Sequence, residues 1–388
     1  MEPDVIYLDN GSTSFPKAPG VGKAMSNYIS HMGVNIARGG YGAAYDVAEG
    51  VLETRERLCR LFGFDRPENV IFTGGVTASL NLLLKGLLRP GDRVVATSMD
   101  HNAVLRPLAQ LAGEGVKTEI VSCDSDGSLD LERLEDALRL HPRALVMTHA
   151  SNVCGTLLPV EGAAALCRRY GVRCILDSAQ TAGKLAIPMK EWGLDAVAFA
   201  GHKGLLGPQG IGGFLVAEEL ASELEPLLAG GTGSQSHLEE MPAFLPDRFE
   251  AGTLNLPGIF GLRAALDYLE AVGIEAIHCA ELERTAQLLA GLREIPGVRI
   301  VGREGVPGRT AVVSLDFPGR DNAGAAYCLE TRGVLTRCGL HCAPRAHRTL
   351  GTYPRGTVRL TPGHTTTKEE IDRALEAVRE AAEAAPGA

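Results

Sequence analysis

No two of the nine cysteines, at 59, 123, 154, 167, 174, 279, 328, 338 and 342, stand at C-x-x-C spacing. The chain therefore carries neither a zinc-ribbon signature nor a dithiol redox motif. Basic residues do not predominate: 38 lysines and arginines face 47 acids, a net charge of -9, which gives no nucleic-acid footprint. No uninterrupted apolar run reaches membrane-spanning length. The opening Met-Glu-Pro-Asp-Val-Ile-Tyr-Leu-Asp-Asn lacks a basic n-region and an apolar h-region, so a cytoplasmic protein without an export signal is expected. Internal repeats and low-complexity segments are absent as well. In a reducing compartment most of the cysteines should be small buried hydrophobes, with one or two left for chemistry.

What the chain does have is bulk. Its 388 residues are 45% hydrophobic, enough for a large core and two lobes. From residue 50 to 216 helical and strand patterns alternate. Strands are expected at 69–72, 93–97, 144–148, 173–177, 196–200 and 211–217, with helices at 51–62, 77–88, 103–112 and 162–170. Near-continuous apolar strands between helices predict an α/β fold with a mostly parallel sheet covered on both faces. After a glycine-rich loop at 230–236, helices at 258–272, 280–292, 324–332 and from Lys368, with strands at 298–301, 311–315 and 358–360, predict a smaller α+β lobe. The terminal segment 384–388 reads as frayed.

Ligands of an open parallel sheet sit beyond the carboxyl ends of its strands, and five such ends carry suggestive groups. Lys203 follows the strand at 196–200, an amine placed to form a Schiff base with a carbonyl cofactor, of which pyridoxal phosphate (PLP) is the usual one. Glycines on both sides permit close approach to a ligand. Lys184 competes for the role but reads as a surface residue. Thr73-Gly74-Gly75-Val76-Thr77 opens a helix, either a phosphate cradle of free N–H groups and a hydroxyl or a plain turn with an N-cap threonine. His101 can stack on a cofactor ring or relay protons, or be structural. Ser151 and Asn152 follow the third strand. Asp177, ending the fourth, is either a helix N-cap or the carboxylate that keeps a pyridine nitrogen protonated, and Gln180 can bind a phenolic oxygen.

In the second lobe Arg337-Cys-Gly-Leu-His-Cys-Ala-Pro-Arg345 puts Cys342 on a loop beside His341 and Arg345. Positive charge there moves a thiol toward thiolate. A buried cysteine, or a zinc set with His341 and His347, are the alternatives, although the spacing fits no standard zinc pattern. Arg359 can grip a carboxylate through two parallel hydrogen bonds or lie at the surface.

Together these blocks resemble the class V aminotransferase-like PLP enzymes of fold type I, and within them the cysteine desulfurases. Phe199-Ala-Gly-His-Lys203, Gly207-Pro-Gln-Gly-Ile-Gly212, Ile175-Leu-Asp-Ser-Ala-Gln180, Thr148-His-Ala-Ser-Asn-Val153, Asp100-His101-Asn, Phe249-Glu-Ala-Gly-Thr253 and Tyr7-Leu-Asp-Asn10 carry the likeness, in family order over nearly the whole chain. The segment around Cys342 is similar to the short cysteine loop of the group II, selenocysteine lyase-like branch. The resemblance implies a seven-stranded-type sheet in a large PLP domain, residues 15–260, with 1–14 and 261–388 forming the small domain. It implies that Lys203 holds PLP, that Lys203 and His101 move protons, and that Cys342 takes sulfur from L-cysteine, leaving L-alanine and a persulfide. Gly75, Val76, Thr77 and His202 would bind phosphate, Asp177 the pyridine nitrogen, Gln180 the phenolic oxygen, and Asn152 and Arg359 the substrate carboxylate. His101 would also contact the cofactor, and no metal is implied. Thr253 would reach the phosphate of a neighbouring subunit, making a homodimer the working unit. The persulfide would pass to an acceptor protein or small thiol, for iron–sulfur or thio-cofactor assembly.

Three features depart from the family. Ala200 stands where serine is usual, Val76 where a small or polar residue is common, and the loop at 230–236 resembles a side branch. Selenocysteine lyase, C–S lyase, transaminase or epimerase chemistry are the alternatives, with a non-catalytic binding protein ranked last because Lys203 and Asp177 are both present. Cys338 is expected to be dispensable.

Overall fold

Strands built of Val, Ile, Leu, Ala and Phe on both faces must be covered on both faces, and the elements alternate accordingly. The computed structural model describes residues 5–36 and 41–383; the terminal segment 384–388 lies outside them. In chain order come β1 (Ile6–Tyr7), α1 (Val21–Asn27), α2 (Gly42–Leu61), β2 (Val70–Thr73), α3 (Val76–Leu87), β3 (Arg93–Thr97), α4 (Asn102–Gly113), β4 (Lys117–Val121) and α5 (Leu131–Leu138). There follow β5 (Ala144–Thr148), α6 (Val160–Tyr170), β6 (Arg173–Asp177), α7 (Met189–Trp192), β7 (Ala196–Ala200), β8 (Gly212–Val216) and α8 (Glu218–Glu223).

Seven of these strands form one sheet in the order β2-β8-β7-β6-β5-β3-β4. Every pairing is parallel except the two made by β8, so the mostly parallel sheet read from the sequence is present. All residues of β5 and β7 are buried, as a central strand between two helix layers requires. β4 and α5, absent from the sequence expectation, complete one edge. The helix expected at 51–62 starts earlier, at Gly42.

The second lobe follows α9 (Leu256–Val272) and α10 (Ile274–Arg293). It contains β9 (Arg299–Val301), β10 (Val313–Asp316), α11 (Asn322–Glu330), β11 (Val334–Leu335), β12 (Arg337–Gly339), α12 (Pro344–Thr349), β13 (Thr357–Leu360) and α13 (Lys368–Glu383). Four strands make an antiparallel sheet, β12-β13-β10-β9, while β11 pairs in parallel with β1. Helix α10 spans both cores: Ile277 packs with the large one, and Leu288, Leu289 and Leu292 with the small one.

Lys184 corrects the sequence reading. It is buried, and its Nζ lies 2.7 Å from Glu281 Oε1 on α10, the side chains being 10% and 3% exposed. Its stem runs beside Gly204, where an added Cβ would come within 2.9 Å of Lys184 Cγ. The glycines flanking Lys203 likewise accommodate the chain itself: a Cβ on Gly201 would lie 2.8 Å from Ile211 O, and one on Gly207 2.9 Å from Gly201 O. Removing one partner of a buried ion pair leaves the other charge uncompensated. Glu281→Leu is therefore expected to lower unfolding free energy by roughly 3–5 kcal/mol, and Lys184→Met/Glu281→Leu to recover most of it, both read from urea transitions.

Candidate functional site

The expected strand ends meet. Lys203, just past β7, shares its electrostatic environment with Asp177, Arg359 and Arg337. Burial brings its amine down from the ordinary lysine range to about 8, opposed by the Asp177 carboxylate. Asp177 is 3% exposed and its Oδ1 accepts the Ala179 N–H at 2.9 Å. The chain beyond it is a run of turns, so the helix N-cap alternative does not apply. Burial raises its pKa, while that hydrogen bond and Lys203 oppose the rise. Gln180 Nε2 donates to Gly11 O at 3.0 Å, which fixes its amide against the N-terminal arm.

His101 is the N-cap of α4, its Nδ1 accepting from Ala103 N–H at 3.0 Å. An accepting Nδ1 places the ring proton on Nε2. Burial, followed by the charges of Lys203, Arg337 and Arg359, brings its pKa to about 4 and keeps the imidazole neutral. The structural and chemical readings of this histidine are thus compatible: one nitrogen caps a helix and the other is left over.

The glycine turn after β2 is open. Gly75 is the N-cap of α3 with φ 145°, and nothing lies within 4 Å of a Cβ added to Gly74 or Gly75. Thr77 is exposed and sits in the second helical position, which removes the N-cap threonine alternative. Thr73 Oγ1 accepts from Gly75 N at 3.2 Å and meets Ser79 Oγ at 2.9 Å, stiffening the turn. Across from it, a Cβ on Gly212 would lie 2.7 Å from Gly75 Cα, so this contact requires glycine. Val76 is half-buried. His202 Nδ1 is 3.1 Å from Thr13 Oγ1, and burial, then Lys203 and Lys17, bring it to about 4. Ala200 is buried opposite Gly212 on the last β7–β8 rung. Thr253 is exposed and lines a cleft of about 290 Å³ with Thr73, Gly74 and Phe249 of its own chain.

Arg359 is 1% exposed, not a surface arginine. Its Nη2 pairs with Asp9 Oδ1 at 2.8 Å and Ser12 Oγ at 2.7 Å, and Nη1 donates to Asn152 O at 3.0 Å. Asn152 Nδ2 donates to His341 O at 2.7 Å. Asn152 Oδ1 and Arg359 Nε are buried without partners among the described residues. Such orphaned atoms mark a place for a bound group.

Cys342 is exposed, which excludes the buried-cysteine alternative. It occupies the turn between β12 and α12, where His341 and Cys342 have φ of 47° and 56°. Its carbonyl accepts the Asn102 N–H at 2.8 Å, next to His101, and Arg337 Nη2 lies 3.8 Å from its Sγ. The charge beside the thiol therefore comes from Arg337. His341, expected to supply some of it, is buried with Nε2 2.9 Å from Thr357 Oγ1, and burial holds it neutral. Among the described residues no cluster of His, Cys, Asp and Glu is arranged to hold a metal.

Sequence reasoning missed several residues here. Asp9, Ser12 and Thr13 of the N-terminal arm and Arg337 contact the expected set, and Asp100 feels the charge of Asp177. Asp100 is buried and its carboxylate accepts from Thr97 N (2.6 Å), Thr97 Oγ1 (2.9 Å) and Thr148 N (2.7 Å), joining the ends of β3 and β5. Burial, then the Asp177 charge, lifts its pKa to about 7. The available signal was an acid following an apolar strand.

Residues 6–374 match the family model of class-V aminotransferases. The chain belongs to this family. It is 33% identical to a probable cysteine desulfurase of Methanothermobacter thermautotrophicus, over 98% of this chain and 95% of that one. It is 31% identical to a cysteine desulfurase of Synechococcus elongatus, covering 97% of this chain but spanning only 60% of that protein. The apo cysteine desulfurase structure from Thermococcus onnurineus superposes with a TM-score of 0.92 at 31% identity, over 98% of this chain and 95% of the other. Membership implies PLP, and the residues fit it: a part-buried amine facing an acid, an open glycine turn at a helix N-terminus, and orphaned polar atoms beside them.

Only a neutral amine captures a carbonyl. Capture of PLP by the apoprotein should therefore quicken as pH rises through about 8, read as a borohydride-reducible adduct. Lys203→Arg should give no adduct, and an adduct persisting in that variant would exclude Lys203.

Proposed function

We propose that the protein is a PLP-dependent cysteine desulfurase that converts L-cysteine to L-alanine and takes the sulfur onto Cys342 as a persulfide. The observation that carries this reading is the exposed Cys342 thiol, held by its carbonyl to the start of α4 beside His101 and by Arg337 at 3.8 Å. A class-V enzyme of another reaction type has no use for a thiol so placed.

Lys203 is the residue that would hold the cofactor, with Asp177 beside its pyridine nitrogen, Gln180 at its phenolic oxygen, and Gly75, Val76, Thr77 and His202 around its phosphate. The bound cofactor would draw electrons from the substrate's α-carbon. Arg359 would orient the substrate carboxylate through its unpartnered Nε–H, and Asn152 through the second N–H of its Nδ2, the first being given to His341 O. Lys203, neutral above about pH 8, and the Nε2 side of His101 carry protons. Cys342 receives the sulfur, and its exposure lets an acceptor protein or small thiol remove it. Thr253, exposed, serves the phosphate of a second subunit, so the working unit is a homodimer. With Ala200 in place of serine, the phosphate relies on backbone N–H groups, Thr77 and His202. The expected division, 15–260 for the larger lobe and 1–14 with 261–388 for the smaller, sets its boundary inside α9, whose Leu262, Ala265, Leu266 and Leu269 pack with the larger core. Like the absence among the described residues of any helix long and apolar enough to cross a membrane, the composition accords with a cytoplasmic site of action.

The test is incubation of holoenzyme with L-cysteine and a reductant. Alanine and sulfide should appear in equal amounts, Cys342→Ala should lower sulfide release by roughly a thousandfold or more, and Cys338→Ala should leave it within about twofold of wild type. Sulfide release surviving without Cys342, or pyruvate replacing alanine, overturns the proposal.

A further inference from the structure

Strand β2 is an edge of the large sheet, pairing only with β8. The outward Val70 C=O and Phe72 N–H therefore have no strand to bond and need other partners. One ion pair supplies both. Arg55 Nη1 donates to Val70 O, and Glu250 Oε1 accepts the Phe72 N–H at 2.7 Å. Arg55 Nη2 and Glu250 Oε2 close the pair at 2.7 Å, with side chains 6% and 4% exposed. The guanidinium also stacks on the Phe72 ring, its carbon 4.6 Å from the centroid. The pair occupies the place of a neighbouring strand, one rung long.

Its position matters because of what comes next on each segment. Directly after Phe72 the chain makes the Thr73-Gly74-Gly75 turn into α3, and three residues after Glu250 comes Thr253. Both segments line the same 290 Å³ cleft. The turn is also tied by Thr73 Oγ1 to Gly75 N and Ser79 Oγ and packed against Gly212, but nothing lies within 4 Å of a Cβ added to Gly74 or Gly75, so its cleft side is open.

We propose that Arg55 and Glu250 are positioning residues for phosphate recognition: the buried pair sets where the glycine turn and the Thr253 segment lie. The inference rests on the reading that PLP binds at this turn. Neither side chain needs to touch the cofactor. Its specific consequence is that the pair governs the preference for PLP over pyridoxal, which has the same ring and aldehyde but no phosphate.

The test compares apoproteins of wild type, Glu250→Gln and the double variant Arg55→Met/Glu250→Leu by absorbance titration with PLP and with pyridoxal. Glu250→Gln strands a buried guanidinium, whereas the double variant removes both charges and leaves the Val70 C=O and Phe72 N–H without partners, at about 1–3 kcal/mol each. The double variant thus provides the reading if the single one does not fold. The preference for PLP should fall by roughly tenfold or more in either variant, the scale of a lost hydrogen bond to a charged group, with pyridoxal affinity within about twofold of wild type. An unchanged preference, or parallel weakening of both ligands, overturns the inference and reduces the pair to a structural tie. A wild type with no preference for PLP overturns the cofactor placement as well.

Discussion

Two hydrogen bonds bring the chemistry of one lobe to the other. Asn102 N–H binds the Cys342 carbonyl at 2.8 Å and Asn152 Nδ2 binds the His341 carbonyl at 2.7 Å. Each donor stands just beyond the carboxyl end of a large-sheet strand, and each acceptor lies on the turn that bears the thiol. Without them Cys342 would be one more exposed cysteine. With them it sits close to the start of α4 beside a neutral His101, with Arg337 3.8 Å from its sulfur.

The N-terminal arm closes the same arrangement from another side. Residues 9–17 reach Arg359, Arg337, Gln180 and the His202 carbonyl, so a segment near the start of the chain orders groups from four distant stretches. Asp100 performs the corresponding task inside the sheet, binding the ends of β3 and β5. Burial of Asp100, Asp177, Lys203 and the site histidines shifts each toward its uncharged form, and among them only Asp177 and Lys203 resist it through each other's charge.

The sequence was most legible where a buried strand leaves no choice. Ala144–Thr148, Arg173–Asp177 and Ala196–Ala200 are apolar enough to be bounded to the residue, and the groups at their ends could be named from position alone. β4 was missed because Lys117-Thr-Glu-Ile-Val121 is an edge strand with a half-exposed, mixed pattern, although the Asp130 cap of α5 was visible in the chain. Lys184 was misplaced because nothing local reveals that Glu281, 97 residues on, will meet it. Arg55 and Glu250 were illegible for the same reason: an edge-strand partner supplied by side chains has no periodicity. Function could be read further than contacts because the motifs lie at strand ends, whereas the supporting contacts join residues far apart in the chain.

The thiol turn has a further property. His341 and Cys342 both hold left-handed backbone angles, and residues with a Cβ sit there at a penalty of about 1–2 kcal/mol each. The two tethers to Asn102 and Asn152 are each worth about 1 kcal/mol net, so tension and restraint nearly cancel. The turn bearing Cys342 is therefore held in this conformation with little net free energy in its favour.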